Sequence, residues 1–206
     1  MRPLSYLSNT ATLLVADTSV AIALNATGCA ADIFRALPHR FVIVDLVQAE
    51  LEAGRERGHT AAGVIRSLID SKHISVVSLG DVGLAYFEQL VVGPAAQTLD
   101  DGEAATLAYA LEFNATAVID ERKALKICAS RFGNLATATS FDLLGHSEVG
   151  RVLGTVRLAE AVFLALRDAR VRVPDHHVAW VIGLIGPERA LECRSLPRSA
   201  RFKFER

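Results

Sequence analysis

Leu13-Leu14-Val15-Ala16-Asp17-Thr18-Ser19 is an apolar run that stops at an aspartate followed by two hydroxyl residues. A short continuous apolar run bounded in this way reads as a buried strand, and this one delivers a carboxylate to its C-terminal end. In open parallel α/β sheets, ligands bind outside that edge. The fold therefore turns on whether the remainder of the chain repeats the plan of strand, polar junction and helix.

It does. Apolar runs at Phe41–Val44, Ile74–Leu79, Thr116–Ile119 and Leu135–Thr139 read as further strands. Helical segments stand between them: Val20–Leu24, Ala30–Leu37, Leu46–Arg57 with Gly58 as its cap, Thr60–Ser71, Asp81–Val92, Ala104–Phe113 and Glu121–Arg131, with another from Ser140. Ala61, Val64, Ile65 and Leu68 have the i, i+3, i+4, i+7 spacing of one helical face, and Ala104, Leu107, Ala108 and Leu111 form a second such stripe. Strands separated by helices throughout predict the α/β class: a three-layer α/β/α arrangement with a central parallel sheet over residues 12–150. From Arg151 the pattern changes to helix without strands. Val156–Arg170 is amphipathic and ends before Pro174, Val178–Leu184 is apolar with Trp180 as an anchor or dimer contact, and residues 187–206 have little periodicity. Residues 151–206 are thus expected to be a mostly helical C-terminal extension with a basic tail.

Four acidic positions share one logic. Asp17 and Asp120 each follow a strand, Glu50 lies early in the helix after Phe41–Val44, and Glu103, beside Asp100 and Asp101, opens the helix before the fourth strand. In a parallel sheet every strand-to-helix junction lies on one edge, so all four fall there. Clustered carboxylates repel and raise one another's pKa; a hard divalent cation with oxygen ligands relieves that. Bound beside a phosphodiester, such an ion polarises phosphoryl oxygens and lowers the pKa of water. Each residue also has a plain structural alternative. Asp17 can cap the following helix, Asp101 or the Asp100/Glu103 pair can form an N-cap and capping box, and Glu50, beside Glu52 and Glu56, can be solvated surface. No GxSxG elbow, HExxH or P-loop lysine motif competes.

The set, in order, resembles the PIN domain, the fold of the VapC-type toxins of bacterial toxin–antitoxin pairs. The resemblance rests on Val15-Ala16-Asp17-Thr18-Ser19, Val47-Gln48-Ala49-Glu50-Leu51, Leu99-Asp100-Asp101-Gly102-Glu103-Ala104-Ala105 and Ala117-Val118-Ile119-Asp120-Glu121-Arg122, and spans about residues 13–145. Its Asp-Gly-Glu-Ala motif is similar to that of a bacterial and archaeal branch of the family. The resemblance implies a nuclease that uses Mg²⁺ or Mn²⁺ to cut RNA, with Asp17, Glu50, Glu103 and Asp120 as catalytic metal ligands. Asp101 competes for the third slot, and Ser19 or Thr18 would orient the first. It further implies a homodimer and a cognate antitoxin. Two other readings are carried: a PIN-like scaffold that binds RNA or protein without cutting, and an α/β phosphatase, against which Ser19 stands where a second Asp is expected.

The charge distribution fits a polyanionic partner and a merely solvated tail equally well. Residues 1–150 hold 11 Lys+Arg against 17 Asp+Glu, and residues 151–206 hold 11 against 6. That is an acidic body (net −6) with a basic end (net +5). Arg194, Arg198, Arg201, Lys203 and Arg206, with Phe202 and Phe204 between them, suit phosphate contact and base stacking, or form a free terminus. The three cysteines, Cys29, Cys128 and Cys193, are widely spaced and read as small buried residues of a reducing compartment. With no signal-peptide pattern in Met1–Thr10 and no bilayer-length apolar run, the expected location is cytoplasmic. His176-His177 is the only adjacent histidine pair, and it reads as a loop or partner contact rather than a metal site.

Overall fold

The computed structural model describes Leu7 and residues 12–56 and 60–201. The remainder of the lead-in Met1–Thr10, the Gly58 cap and the tail residues Phe202, Lys203, Phe204 and Arg206 lie outside the described residues, as does the side chain of Arg201. In chain order the elements are β1 (Leu13–Ala16), α1 (Thr18–Ala26), α2 (Ala30–Ala36), β2 (Arg40–Val44), α3 (Asp45–Glu56), α4 (Ala61–Asp70), β3 (Ile74–Val77), α5 (Asp81–Val91), α6 (Asp101–Glu112), β4 (Thr116–Val118), α7 (Arg122–Arg131), β5 (Thr137–Ala138), α8 (Ser140–Leu144), α9 (Ser147–Arg167), α10 (Asp175–Ile185), α11 (Pro187–Glu192) and α12 (Arg198–Arg201). No described helix is long and apolar enough to cross a membrane.

The five strands form one all-parallel sheet in the order β3-β2-β1-β4-β5. The α/β class and the central parallel sheet with flanking helices are as the alternation predicts. β1 is central, and Leu14, Val15 and Ala16 are buried, as are Phe41–Val44 of β2. Strands covered on both faces read as continuous apolar runs rather than alternating ones. The edge strands are β3, buried only at Ile74, and β5, whose two residues limit the exposed ladder that an edge offers to other chains. β3 stops at Val77, short of the expected Leu79, where the Ser78 hydroxyl donates to the Asp45 carboxylate at 2.6 Å.

By internal packing the described chain falls into two compact units. Residues 12–21 and 38–138 make the sheet unit, and residues 22–37 and 139–201 make a helical unit. In the sheet unit α6 packs against β1, β2, β4, α3 and α5. The sequence predicts one apolar stripe here, yet every residue from Gly102 to Tyr109, and Ala110, is buried. Ala104, Ala105, Ala108 and Ala110 are small enough to let neighbours approach from all sides, so this helix is core rather than amphipathic surface.

In the helical unit α2, α8 and α10 pack on α9. An Arg157–Asp32 ion pair at 2.7 Å ties α9 to α2, and Arg189 reaches both Glu160 at 2.9 Å and the Phe163 ring at 4.8 Å. The helix expected over Val156–Arg170 starts earlier, at Ser147, and is broken at Gly154 with φ 68° and ψ 166°. Essentially only glycine adopts that backbone region. Helix α10 begins at Asp175 directly after Pro174. His176 and His177 therefore lie in its first turn, not in a loop as the sequence suggests. Trp180 is buried in this unit, 5.6 Å from the His177 ring.

Candidate active site

The sheet order reverses at β1, since β2 and β3 lie on one side and β4 and β5 on the other. The C-terminal edge at such a reversal is where diverging connections leave a crevice. Asp17 is the first residue beyond β1, and its backbone N–H donates to Val118 O of β4 at 3.2 Å. Its carboxylate Oδ2 accepts from the Ser19 hydroxyl at 2.6 Å and from the Ser19 N–H at 3.1 Å. These bonds fix the side chain at the start of α1. Asp17 is only 3 % exposed. Burial pushes its carboxyl above the usual range despite the Ser19 hydrogen bonds, and the charge of Asp100 adds to the rise.

Glu50 projects from α3 into two hydrogen bonds. Oε2 accepts from the Thr18 hydroxyl at 2.5 Å, and Oε1 accepts from the Gly102 N–H at 3.0 Å. The second contact needs glycine. A Cβ at position 102 would stand 2.5 Å from Glu50 Oε2. Glu50 is thus not free helix surface. The neighbouring Glu52 is the solvated one, paired with Arg55 at 3.0 Å and with Arg66.

The acidic trio at the start of α6 divides its duties. Asp100 is the N-cap, its Oδ1 accepting from the Glu103 N–H at 2.9 Å, and Asp100 and Asp101 are both exposed. Glu103 turns inward and is 8 % exposed. Burial first, then the charges of Asp100, Asp17 and Glu121, push its carboxyl up to about 7. The capping alternative and the site alternative hold together, because different members of the trio carry them. Asp120 lies two residues beyond β4 and is half-buried. Ala16 of β1 pairs with Val118 of β4, so Asp17 and Asp120 leave the same end of adjacent strands. Glu121 caps α7 by accepting from the Lys123 N–H at 3.1 Å. Gly102 and Glu121 stand inside the quoted motifs, but the sequence assigns neither of them a role. The visible signals were a glycine inside a helix start and a second acid directly after Asp120.

Asp17 and Glu103 are buried acids, and the charge of Asp17 adds to the cost of ionising Glu103, with oxygen donors from Glu50 and Asp120 at the same sheet edge. This chemistry suits a hard divalent cation. Mg²⁺ takes oxygen ligands and keeps several of its own waters, and among the described residues no three of these four carboxylates bring ligand atoms within 4.8 Å of one another. Among the described residues, the one group of three His, Cys, Asp or Glu ligand atoms within 4.8 Å of one another is a different set, Asp142, His176 and His177 of the helical unit. A family model described as DUF3368, a PIN domain, matches residues 13–187. The match takes in α9 and α10 as well as the whole sheet. No curated protein and no solved structure matches the chain.

Proposed function

The chain belongs to the PIN-domain family, a nuclease fold, and from that premise we propose that it is a divalent-metal-dependent endoribonuclease, the toxin of a toxin–antitoxin pair. The observation that carries the reading is the pair of buried carboxylates Asp17 and Glu103 at the reversal point of the sheet, both held above the ordinary carboxylate range. Structural packing has no use for self-repelling charge at such depth, whereas a cation and a phosphodiester do.

In this reading Asp17, Glu50, Glu103 and Asp120 hold Mg²⁺ or Mn²⁺, with Asp101 at the rim. The ion, when bound, supplies positive charge to the phosphoryl oxygens and acidifies water beside the scissile bond. The chain's own part is positioning. Ser19 orients Asp17, while Thr18 and the Gly102 N–H orient Glu50. Glu103 must shed its proton before it can serve as a ligand, so the site loads poorly in acid. The basic C-terminal region, net +5 over residues 151–206, suits the phosphate backbone of RNA. The toxin role calls for a partner protein and the family habit is a homodimer. Val152 and Val156 on α9, the latter 85 % exposed, are apolar surface that either contact would cover.

The test is cleavage of single-stranded and hairpin RNA with Mg²⁺, with Mn²⁺ and with chelator, comparing wild type with Asp120→Ala. Metal-dependent cleavage by wild type and its loss by several orders of magnitude in the variant are expected. Equal cleavage by both, or binding of RNA with no cleavage under any metal, would leave the non-cutting scaffold as the better account. Growth arrest on expression, relieved by a co-expressed neighbouring gene, separates a toxin from a housekeeping nuclease.

A further inference from the structure

The helical unit holds a second constellation that the carboxylate site does not use. Helix α8 opens with a capping box in which Asp142 Oδ2 accepts from the Thr139 N–H at 2.8 Å and from its hydroxyl at 2.7 Å. That anchoring leaves Oδ1 facing the first turn of α10. There it meets His177 Nε2 at 3.0 Å and His176 Nε2 at 3.6 Å. Consecutive helical residues project about 100° apart around the axis, so neighbouring side chains ordinarily diverge. Here the two imidazole rings converge, with centroids 4.2 Å apart.

We propose that Asp142, His176 and His177 form a zinc site with three protein ligands, separate from the carboxylates at the sheet edge. A hydrogen bond accounts for His177 on Oδ1 but not for His176, since 3.6 Å is beyond hydrogen-bonding distance. A metal accounts for both. Zinc bonds of about 2.0–2.2 Å at tetrahedral angles put ligand atoms about 3.4 Å apart, and the two contacts bracket that figure. Two imidazole nitrogens and one carboxylate oxygen are a zinc-type donor set, unlike the all-oxygen set that Mg²⁺ favours. The setting is also right. The Asp142 side chain is 3 % exposed and that of His177 0 %, and the Phe141 and Trp180 rings stand 6.2 Å and 5.6 Å from the His177 ring. An apolar shell of this kind strengthens coordination. His176, 26 % exposed, is the side from which the ion and a fourth, water ligand enter. The ion would pin α8 to α10.

The experiment uses the full chain stripped with chelator and then given Zn²⁺, counting bound zinc per chain after dialysis, and Co²⁺, read by its visible ligand-field absorption. The reference is an Asp17→Asn/Asp120→Ala double variant, in which the sheet-edge carboxylates are disabled. One zinc per chain in that variant, and zinc affinity lower by about tenfold or more when His176→Gln is added, are expected. His176 is partly exposed, so its replacement leaves the fold intact, which circular dichroism checks. No zinc retained by the double variant, or retention unchanged by His176→Gln, overturns the site and leaves a buried hydrogen-bonded Asp–His pair. Loss of RNA cleavage by the double variant with zinc still bound shows that the two sites stand or fall separately.

Discussion

Glu103 is the residue at which burial and charge act most openly against each other. Its carboxyl is pushed up to about 7, against an ordinary 4.5. In the metal-free protein the folded state therefore keeps a proton that the unfolded state has already released between these values. The folded state binds more protons in that window, so stability falls as pH rises through it. The contribution is complete below the unfolded value and is lost above about 7, at most about 3 kcal/mol at 1.36 kcal/mol per pKa unit. Melting temperature measured without metal should decline from pH 5 to 7.5, and Glu103→Gln should flatten that decline. Saturating Mn²⁺ should reverse the slope, because its ligands must be deprotonated; a wild-type profile indifferent to both changes would remove the electrostatic argument. Gly102 allows a second residue-level test. A Cβ there meets the mobile end of Glu50 rather than backbone, so Gly102→Ala should fold with little change in stability. It should nonetheless displace the Glu50 carboxylate and lower RNA cleavage by about tenfold or more, in line with the loss expected when a site residue is misplaced. Unchanged cleavage would argue that Glu50 has no part in the site.

At the level of elements, α6 and α9 show how far local pattern reaches. The stripe Ala104, Leu107, Ala108 and Leu111 is visible in the sequence, but it understates a helix buried from Gly102 to Ala110. Small residues are read as neutral by periodicity, and only contact with β1, β2, β4, α3 and α5 shows them to be core. In α9 the sequence predicts one amphipathic helix from Val156. The helix instead runs from Ser147 and breaks at Gly154, whose φ of 68° and ψ of 166° suit no side chain. Nothing lies within 4 Å of a Cβ built there, so the cost of substitution is wholly in the backbone. Gly154→Ala should lose about 1–3 kcal/mol in a denaturant melt. A neutral result would mean that the two halves of α9 join into one helix without penalty.

For the whole molecule, the prediction concerns linkage between metal and stability. An ion that binds only the folded chain stabilises it by about 2.7 kcal/mol at one hundred times its dissociation constant. Mn²⁺ should therefore raise the melting temperature of wild type. In Asp17→Asn it should do so far less, while the metal-free variant, relieved of a buried charge, melts no lower than wild type. A gain in wild type that persists undiminished in Asp17→Asn would place the stabilising ion elsewhere in the chain.

The sequence by itself determined the alternation of strand and helix, and with it the parallel sheet and the edge at which Asp17, Glu50, Glu103 and Asp120 emerge. These follow from short-range pattern: apolar runs bury as strands, and a parallel sheet puts every junction at one end. Only the tertiary structure decided which member of Asp100, Asp101 and Glu103 turns inward, and that Glu50 is held by Thr18 and by the bare N–H of Gly102. The same is true of the helical unit, where Asp142 and His177 meet across 35 positions of sequence and draw His176 to the same oxygen. The physical reason is common to all of these cases. Spacing along the chain reports which face a residue takes on its own element, whereas a charge's partners are set by the packing of elements far apart in sequence.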